Sequence, residues 1–383
     1  MNMKILFLTS VNHPQVRLEA EALRRMYNVN YVSTRFEGWK KGLKSLFNNI
    51  PTLFIILVKL KMPPVPSRLF LYNLLLLSSI LDKMKHEDKN YDLIYAHWLF
   101  PAGFIGLFLS KIIGCKMISV IWGYDIQVIS GVKSHAQGLN RIIPKLVIER
   151  SDLVIANHLI HKRLAEDLLG RTSDKILYVT PAIPDISINV QSKLTGELRE
   201  ILDIETLNEK TLVLYSPSLR PGYGIIEFLK AIPIINKNDK FVFIIAGEGE
   251  LKDEAIKFVK NSGLKNVIFV GKVSHESMKV LYKLSTVVCD LAYPGTGTTT
   301  LEAFCFGKPV IGIRSPKTIV KHGFNGFIIS KGDYEALAQY IITISEDHEL
   351  RKRLSLNAKR TFEEVFSIQK RINRISEVFN SVI

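Results

Sequence analysis

The stretch Thr286 to Ile313 reads TVVCDLAYPGTGTTTLEAFCFGKPVIGI. An apolar run, TVVCDL, gives way to a loop of small and hydroxylated residues. A helix-length segment carrying Glu302 follows, and a second apolar run, PVIGI, closes the unit. Strand, loop, helix and strand in this order make parallel neighbours, because a connection of that length crosses over the sheet. The small residues of the loop leave backbone N–H groups open at the positive end of the helix, which suits a phosphate. Glu302, expected two turns into the helix, is badly placed for phosphate and well placed for paired hydroxyls such as a ribose diol. Phosphate at the cap with a diol alongside describes a nucleoside diphosphate. An ordinary Gly/Thr-rich turn with a solvent-facing Glu is the other reading of the same residues.

The same alternation extends in both directions. Upstream the runs KILFLTS, NVNYVST, DLIYAHW, KMISVIW, DLVIAN and KILYVT read as strands; downstream TLVLYS, KFVFIIAG and NVIFVG precede the stretch quoted. Amphipathic segments such as 15–26, 250–262 and 275–284 lie between them. Continuous Val/Ile/Leu runs separated by helices describe a parallel sheet covered on both faces, an α/β chain. The alternation pauses once, over 180–210, where prolines and charges replace any strand. A hinge near 182 therefore divides two doubly wound domains facing a central cleft, 1–182 and 183–365, and a last segment, 366–383, follows. With 383 residues the chain is long enough for two cores. Ligands of such sheets bind beyond the carboxyl ends of the strands.

Lys and Arg number 51 against 36 Asp and Glu, a net charge of +15, which points to anionic partners. The three cysteines, 115, 289 and 305, show no paired spacing and predict a reduced, cytoplasmic setting without disulfides. The apolar run in MNMKILFLTS is too short for a signal peptide, and no run reaches the length of a spanning helix. One region stands apart: 35–85 holds nine Lys/Arg and two acids around the apolar runs IPTLFIILV and LFLYNLLLLSSIL. With Lys40, Lys41, Lys44, Lys59 and Lys61 beside them, these runs suit an anionic membrane surface at the inner face of the cell membrane. Helices that simply cover the first sheet are the alternative.

Several chemistries drop out. TSVNHPQVR, after the first strand, has no glycines, and AGEGELK lacks the third glycine of a dinucleotide loop. GKP completes no Walker loop, no G-x-S-x-G elbow occurs, and neither an Asp-x-Asp pair nor a Cys/His cluster offers metal ligands. No metal and no resident cofactor are expected. Nucleic acid is not expected either, since the basic segments lack interleaved stacking aromatics.

Three segments carry a resemblance: AGEGELKDEAIKFVKNSGLKNVIFVGKVSHESMKVLYKLSTVVCDL, TTTLEAFCFGKPVIG and IVKHGFNGFIISKGDYEALAQYI. In order, over roughly 211–365, they resemble the C-terminal domain of the family-4 (group 1) retaining glycosyltransferases, which have the GT-B fold. YAHWLFPAGFIG, SVIWGYDI and SDLVIANHLIHKRLAE continue it more weakly upstream. The resemblance implies a nucleotide-sugar donor, a C-terminal donor domain and an N-terminal acceptor domain. FSIQKRINRISEVF would be the last helix, crossing back to the N-terminal domain. It places Gly295, Thr296, Gly297, Thr298 and Thr299 at the donor, with the amides of the last three on diphosphate and sugar. Glu302 falls on the second Glu of the E-x7-E motif, at the ribose. Val273 lies in the loop that meets the base, and Asp125 matches the acid that faces the reacting sugar.

The departures are specific. Pro294 stands at the first Glu of E-x7-E, and Trp122 at the histidine before Gly123. Ser218 and Tyr223 replace the phosphate-binding Arg and Lys, leaving Arg220 to supply the cation. Retaining transfer in this family is drawn as front-side attack, with a phosphate oxygen of the leaving group taking the acceptor's proton. It asks for positioning and a charge clamp more than for a protein base. Pro294 thus reads as altered donor choice. His97, at the end of a strand, is a contact for acceptor or donor, or else a packing histidine. The expected activity is hexosyl transfer to a lipid-linked or other membrane-associated saccharide acceptor. A silent relative that binds a sugar nucleotide or a partner enzyme is the alternative.

Overall fold

Six apolar runs of the first half of the chain pair into one parallel sheet, and six of the second half into another. The computed structural model describes residues 3–11, 13–34, 44–46, 48–49, 51, 67–83, 90–123, 126, 142–187, 196–202, 207, 210–235, 240–293, 295 and 298–383. Two compact units result, one of Met1–Pro181 with Arg371–Ile383, the other of Ala182–Lys370.

The first unit contains β1 (Lys4–Thr9), β2 (Asn28–Ser33), β3 (Leu93–His97), β4 (Lys116–Ile121), β5 (Leu153–Ala156) and β6 (Ile176–Tyr178), in the order β2-β1-β3-β4-β5-β6. Its helices include α1 (Pro14–Leu23), α2 (Ser67–Lys83), α3 (Phe104–Ile113), α4 (Ile142–Arg150) and α5 (Leu159–Leu169). Pro14 opens α1, where its missing N–H costs nothing. Gly114 and Gly170, both left-handed, end α3 and α5. Leu75, Leu76, Leu77, Ile80 and Leu81 of α2 are buried, and Leu76, Leu77, Ile80 and Leu81 pack into the core of this unit. That is the covering role for part of LFLYNLLLLSSIL; most of 35–66 lies outside the described residues. Among the described residues no helix is long and apolar enough to cross a membrane.

The second unit contains β7 (Thr211–Tyr215), β8 (Phe241–Ala246), β9 (Val267–Gly271), β10 (Val287–Asp290), β11 (Val310–Ile313) and β12 (Gly326–Ile329), in the order β12-β11-β10-β7-β8-β9. Between and after them run α6 (Ile225–Ile235), α7 (Lys252–Asn261), α8 (His275–Leu284), α9 (Thr298–Cys305), α10 (Tyr334–Glu346), α11 (His348–Thr361) and α12 (Ile368–Val382). Although the strands read as unbroken apolar runs, alternate residues serve separate cores. Leu212, Leu214, Val242, Ile244 and Val288 belong to one face, and Val213, Tyr215, Phe243, Ile245 and Val287 to the other. β12 is the strand the sequence reading omitted. It starts at Gly326, where a Cβ would lie 2.0 Å from the Val310 carbonyl oxygen, so only glycine lets the edge strand approach.

The last helix enters the first unit at Arg371, which is 3% exposed. Its Nε donates to Glu19 Oε2 at 2.6 Å, its Nη1 to the carbonyl of Thr180 at 2.7 Å and its Nη2 to Asn157 Oδ1 at 2.9 Å. Burial alone would raise the Glu19 carboxyl, but the Arg371 cation and His97 overcome it and hold the group at about 2.

Candidate functional site

In each sheet the strand order turns back at one place, and the loops leaving the two strands there diverge and open a crevice at their carboxyl ends. In the second unit that place lies between β7 and β10. After β7 the chain turns through 216–224. The Tyr215 hydroxyl donates to the Tyr223 carbonyl at 2.8 Å, and Tyr223 N to the Arg220 carbonyl at 3.1 Å. Gly222 and Gly224 are left-handed, and a Cβ on Gly224 would sit 2.5 Å from Leu291 Cβ. The turn thus packs against the segment leaving β10, and Tyr293 N donates to the Gly222 carbonyl at 2.9 Å. Arg220, at the tip, is exposed and has no ion-pair partner among the described residues. The glycines of AGEGELK have a packing role: a Cβ on Gly249 would strike the Leu219 carbonyl at 2.2 Å.

Among the described residues α9 runs from Thr298, four residues before Glu302, and the left-handed Gly295 (φ 82°) stands outside it. Asp290, buried at the end of β10, reaches into the first turn. It accepts from Thr300 Oγ1 at 2.6 Å and from the amides of Ala292 and Thr300. Burial pushes its carboxyl up and these donors oppose that. The Thr300 amide is therefore occupied by the protein's own carboxylate, and the amides of Thr298 and Thr299 precede it in the first described turn.

Glu302 is half-buried and fixed from below. The Tyr282 hydroxyl donates to its Oε2 at 2.9 Å and lies 3.2 Å from Ser216 Oγ. Tyr282 is fully buried on α8, and burial, with the Glu302 carboxylate beside it, raises its hydroxyl well above the usual range. It stays a neutral donor. Oε1 of Glu302 has no partner among the described residues. Ser216, Tyr282 and Glu302 thus link the ends of β7, α8 and α9, and the sequence reading missed the first two. The signal was a lone hydroxyl on the apolar face of an amphipathic helix. Val273, half-buried after β9, lies on the same carboxyl edge two strands from β7. Pro294, Thr296 and Gly297 lie outside the described residues.

In the first unit the turning point lies between β1 and β3. Ser10 Oγ, just after β1, accepts from the Ala102 amide at 2.9 Å. His97 ends β3 with no exposed surface. It is walled in by Phe7, stacked at 4.6 Å, and by Tyr95, which is the packing arrangement of the two readings. Burial lowers its pKa and the neighbouring Glu19 pulls the other way without prevailing, so the ring is neutral. Trp122 Nε1 donates to His97 Nδ1 at 3.1 Å, which leaves the ring proton on Nε2, 3.4 Å from Glu19 Oε1. Trp98 has φ 72°, a strained value for a non-glycine residue, and its indole stacks on Trp122 at 5.2 Å. His13 lies 5.4 Å from the same Trp122 ring. The substitution noted in the sequence, Trp122 for histidine, thus builds an aromatic floor resting on His97. Asp125 lies outside the described residues.

Comparison with known proteins gives a consistent set. A family model described as glycosyl transferases group 1 matches residues 199–361. A Campylobacter jejuni N-acetylgalactosaminyltransferase acting on an undecaprenol-diphosphate-linked glycan is 31% identical over 191 residues, 48% of this chain and 52% of that protein. N-acetyl-alpha-D-glucosaminyl L-malate synthase of Bacillus anthracis is 24% identical over 318 residues, 82% of this chain and 80% of that one. Among solved structures, HepE of Anabaena in complex with UDP superposes with a TM-score of 0.68 at 18% identity, covering 99% of this chain and 100% of its own. The same protein is also known with UDP-glucose. These likenesses carry the GT-B fold.

Proposed function

We propose that this chain, which matches the group 1 glycosyl transferase model over residues 199–361 and has the GT-B fold, moves a hexosyl group from a nucleoside-diphosphate sugar to a saccharide acceptor with retention. The observation that carries the reading is the Tyr282–Glu302 hydrogen bond. It holds a carboxylate with one open oxygen beside the first amides of α9, at the turning point of the sheet. The diphosphate rests on the loop Gly295, Thr296, Gly297, Thr298 and Thr299, with the Arg220 guanidinium as its clamp. Glu302 Oε1 accepts from the ribose hydroxyls, and Val273 borders the base. A uridine donor is favoured by the UDP and UDP-glucose complexes of HepE.

In the transfer the bond from the anomeric carbon to the leaving phosphate oxygen breaks. The acceptor oxygen bonds to the same face of that carbon, and its proton passes to the phosphate oxygen. The protein's part is to hold the charge that develops on the diphosphate and to align the partners. Asp125 orients the sugar from the N-terminal side, while His97 acts as a positioning residue through Trp122. No resident metal or cofactor enters this scheme.

We place the acceptor on a membrane-bound carrier, a reading supported by the basic, apolar segment 35–85 and by the carrier-linked substrate in the name of the Campylobacter relative. A peripheral position at the inner face of the cell membrane follows. Sedimentation with anionic vesicles, released by high salt and weakened by K40E/K41E/K44E, tests it; equal binding to neutral vesicles refutes it. The silent-relative reading draws on Pro294, Trp122, Ser218 and Tyr223. Incubation with a panel of radiolabelled sugar nucleotides and membrane extract decides between them. Transfer of label supports catalysis, and tight nucleotide binding without transfer or hydrolysis supports silence.

A further inference from the structure

The second unit has another opening, at the opposite end of its sheet. A pocket of about 630 Å³ lies where β7 and β11 begin and where Ser285 and Thr286 lead into β10. The five-residue strand β7 separates it from the Glu302 end by roughly 17 Å. Five basic side chains line it, Lys210, Lys240, Lys308, Arg351 and Lys352, and none of its lining residues is a carboxylate. In a chain with 51 basic and 36 acidic residues an unselected face mixes the two signs. Serine and threonine residues complete the wall; Ser285 Oγ donates to the Tyr282 carbonyl and Ser345 Oγ pairs with Thr211 Oγ1, while Ser355 has no such bond among the described residues.

Two of the cations have one structural duty each. Lys308 Nζ donates to the carbonyl of Lys283 at the end of α8, at 2.9 Å. Arg351 Nη1 donates to the carbonyls of Ile344 and Ser345 in the last turn of α10. Cations at helix carboxyl ends are favourable there. That accounts for Lys308 and Arg351 but not for Lys210, Lys240 and Lys352, which cap nothing and have no ion-pair partner among the described residues. Burial pushes the Lys308 ammonium down to about 8, as expected of a cation desolvated without a counter-ion. On α11, His348, Arg351, Lys352 and Ser355 fall at i, i+3, i+4 and i+7, so one helical face is committed to this pocket.

We propose that this pocket binds a multiply phosphorylated anion, at a site separate from the one at the carboxyl ends of β7 and β10. Clustered Lys/Arg with no competing carboxylate match the charge and the acceptor oxygens of adjoining phosphate groups. The volume takes two or more phosphates with part of what carries them. Free oligophosphate and a phosphorylated lipid headgroup share this chemistry.

The test uses the full chain with excess UDP present to occupy the other end of the sheet, and inorganic tripolyphosphate as the probe in calorimetry. One binding event is expected that persists in UDP and weakens about tenfold or more in K308Q/K352Q, the scale for lost charged hydrogen bonds. Because Lys308 also caps α8, K210Q/K352Q, which touches no cap, must show the same direction of change with an unaltered melting temperature. Phosphatidylcholine vesicles with and without a phosphatidylinositol bisphosphate form the second arm. Binding to the anionic vesicles alone, lost in the variants and displaced by tripolyphosphate, identifies a headgroup. Tripolyphosphate binding without vesicle binding identifies a free anion. Binding of either probe that the variants leave unchanged, displacement of all tripolyphosphate by UDP, or binding of neither probe overturns the proposal. These outcomes do not depend on whether sugar transfer is found.

Discussion

The two sheets turn back on themselves in the same way and present different surfaces at that point. In the first unit the carboxyl ends carry His13, Trp98 and Trp122, with a neutral, fully buried His97 below them. In the second they carry glycines, hydroxyls and one half-buried carboxylate. The first end is built of stacked rings, and the second of small residues beside a carboxylate with one open oxygen. One scaffold thus carries two surfaces, decided by the loops that leave the strands rather than by the strands. The supports differ as well: an ion pair under the aromatics, and neutral hydroxyls under the acid.

The sharpest way to break the comparison is to remove the ion pair. Glu19→Gln leaves Arg371 buried and unpaired, and should cost about 3–5 kcal/mol, read as a lowered denaturation midpoint. Glu19→Leu with Arg371→Met should recover much of that loss. The pH dependence has a definite sign. The Glu19 carboxyl titrates at about 2 in the folded protein against 4.5 ordinarily. Its contribution to stability is therefore present above 4.5 and lost as pH falls toward 2, and acid melts of Glu19→Gln should be flatter over that window.

Next in size is the diphosphate clamp. Arg220→Ala should lower turnover about 100- to 1,000-fold, the range for one pre-organised charge contact, and weaken UDP far more than uridine. Unchanged UDP affinity would return Arg220 to the surface. Glu302→Ala should weaken every nucleotide ligand by about 1.5–3 kcal/mol whatever sugar is attached, measured by calorimetry. Unaltered affinity in a folded variant would remove the ribose role. Tyr282→Phe is the finest probe, since it deletes only the hydroxyl beneath Glu302. A loss of about 0.5–1.5 kcal/mol in nucleotide binding is expected, with little change in the pH profile.

How much of this was legible depends on the range of each interaction. Eleven strands were readable: the central ones because a strand buried on both faces is a local run of Val, Ile and Leu, and the partly exposed edge strands β2, β6 and β9 because they keep much of that composition. The twelfth hid behind Gly326, whose reason is the distant Val310 carbonyl. The loop before α9 was readable as small and hydroxylated, but its register was not. Gly295 is left-handed and Asp290 takes the Thr300 amide, and neither is visible in composition. Tyr282 was hidden for a related reason, since a tyrosine among apolar neighbours looks like packing until its hydroxyl is seen to reach Glu302. His97 could be placed at a strand end, yet its burial depends on Glu19 from α1 and Arg371 from α12, 352 residues apart in the chain.

That separation bears on the order in which the protein is made. The first unit closes over Glu19 only with Arg371, while all of Ala182–Lys370 is translated in between. A nascent chain that has released residues 1–181 still exposes the surface that α12 will cover, with Glu19 lacking its cation. The second unit, whose residues are contiguous, can complete itself first, reversing the usual amino-to-carboxyl sequence of domain folding. A released chain that ends before residue 371 would hold a complete second unit and an unfinished first one, and the first would be the natural client of a chaperone.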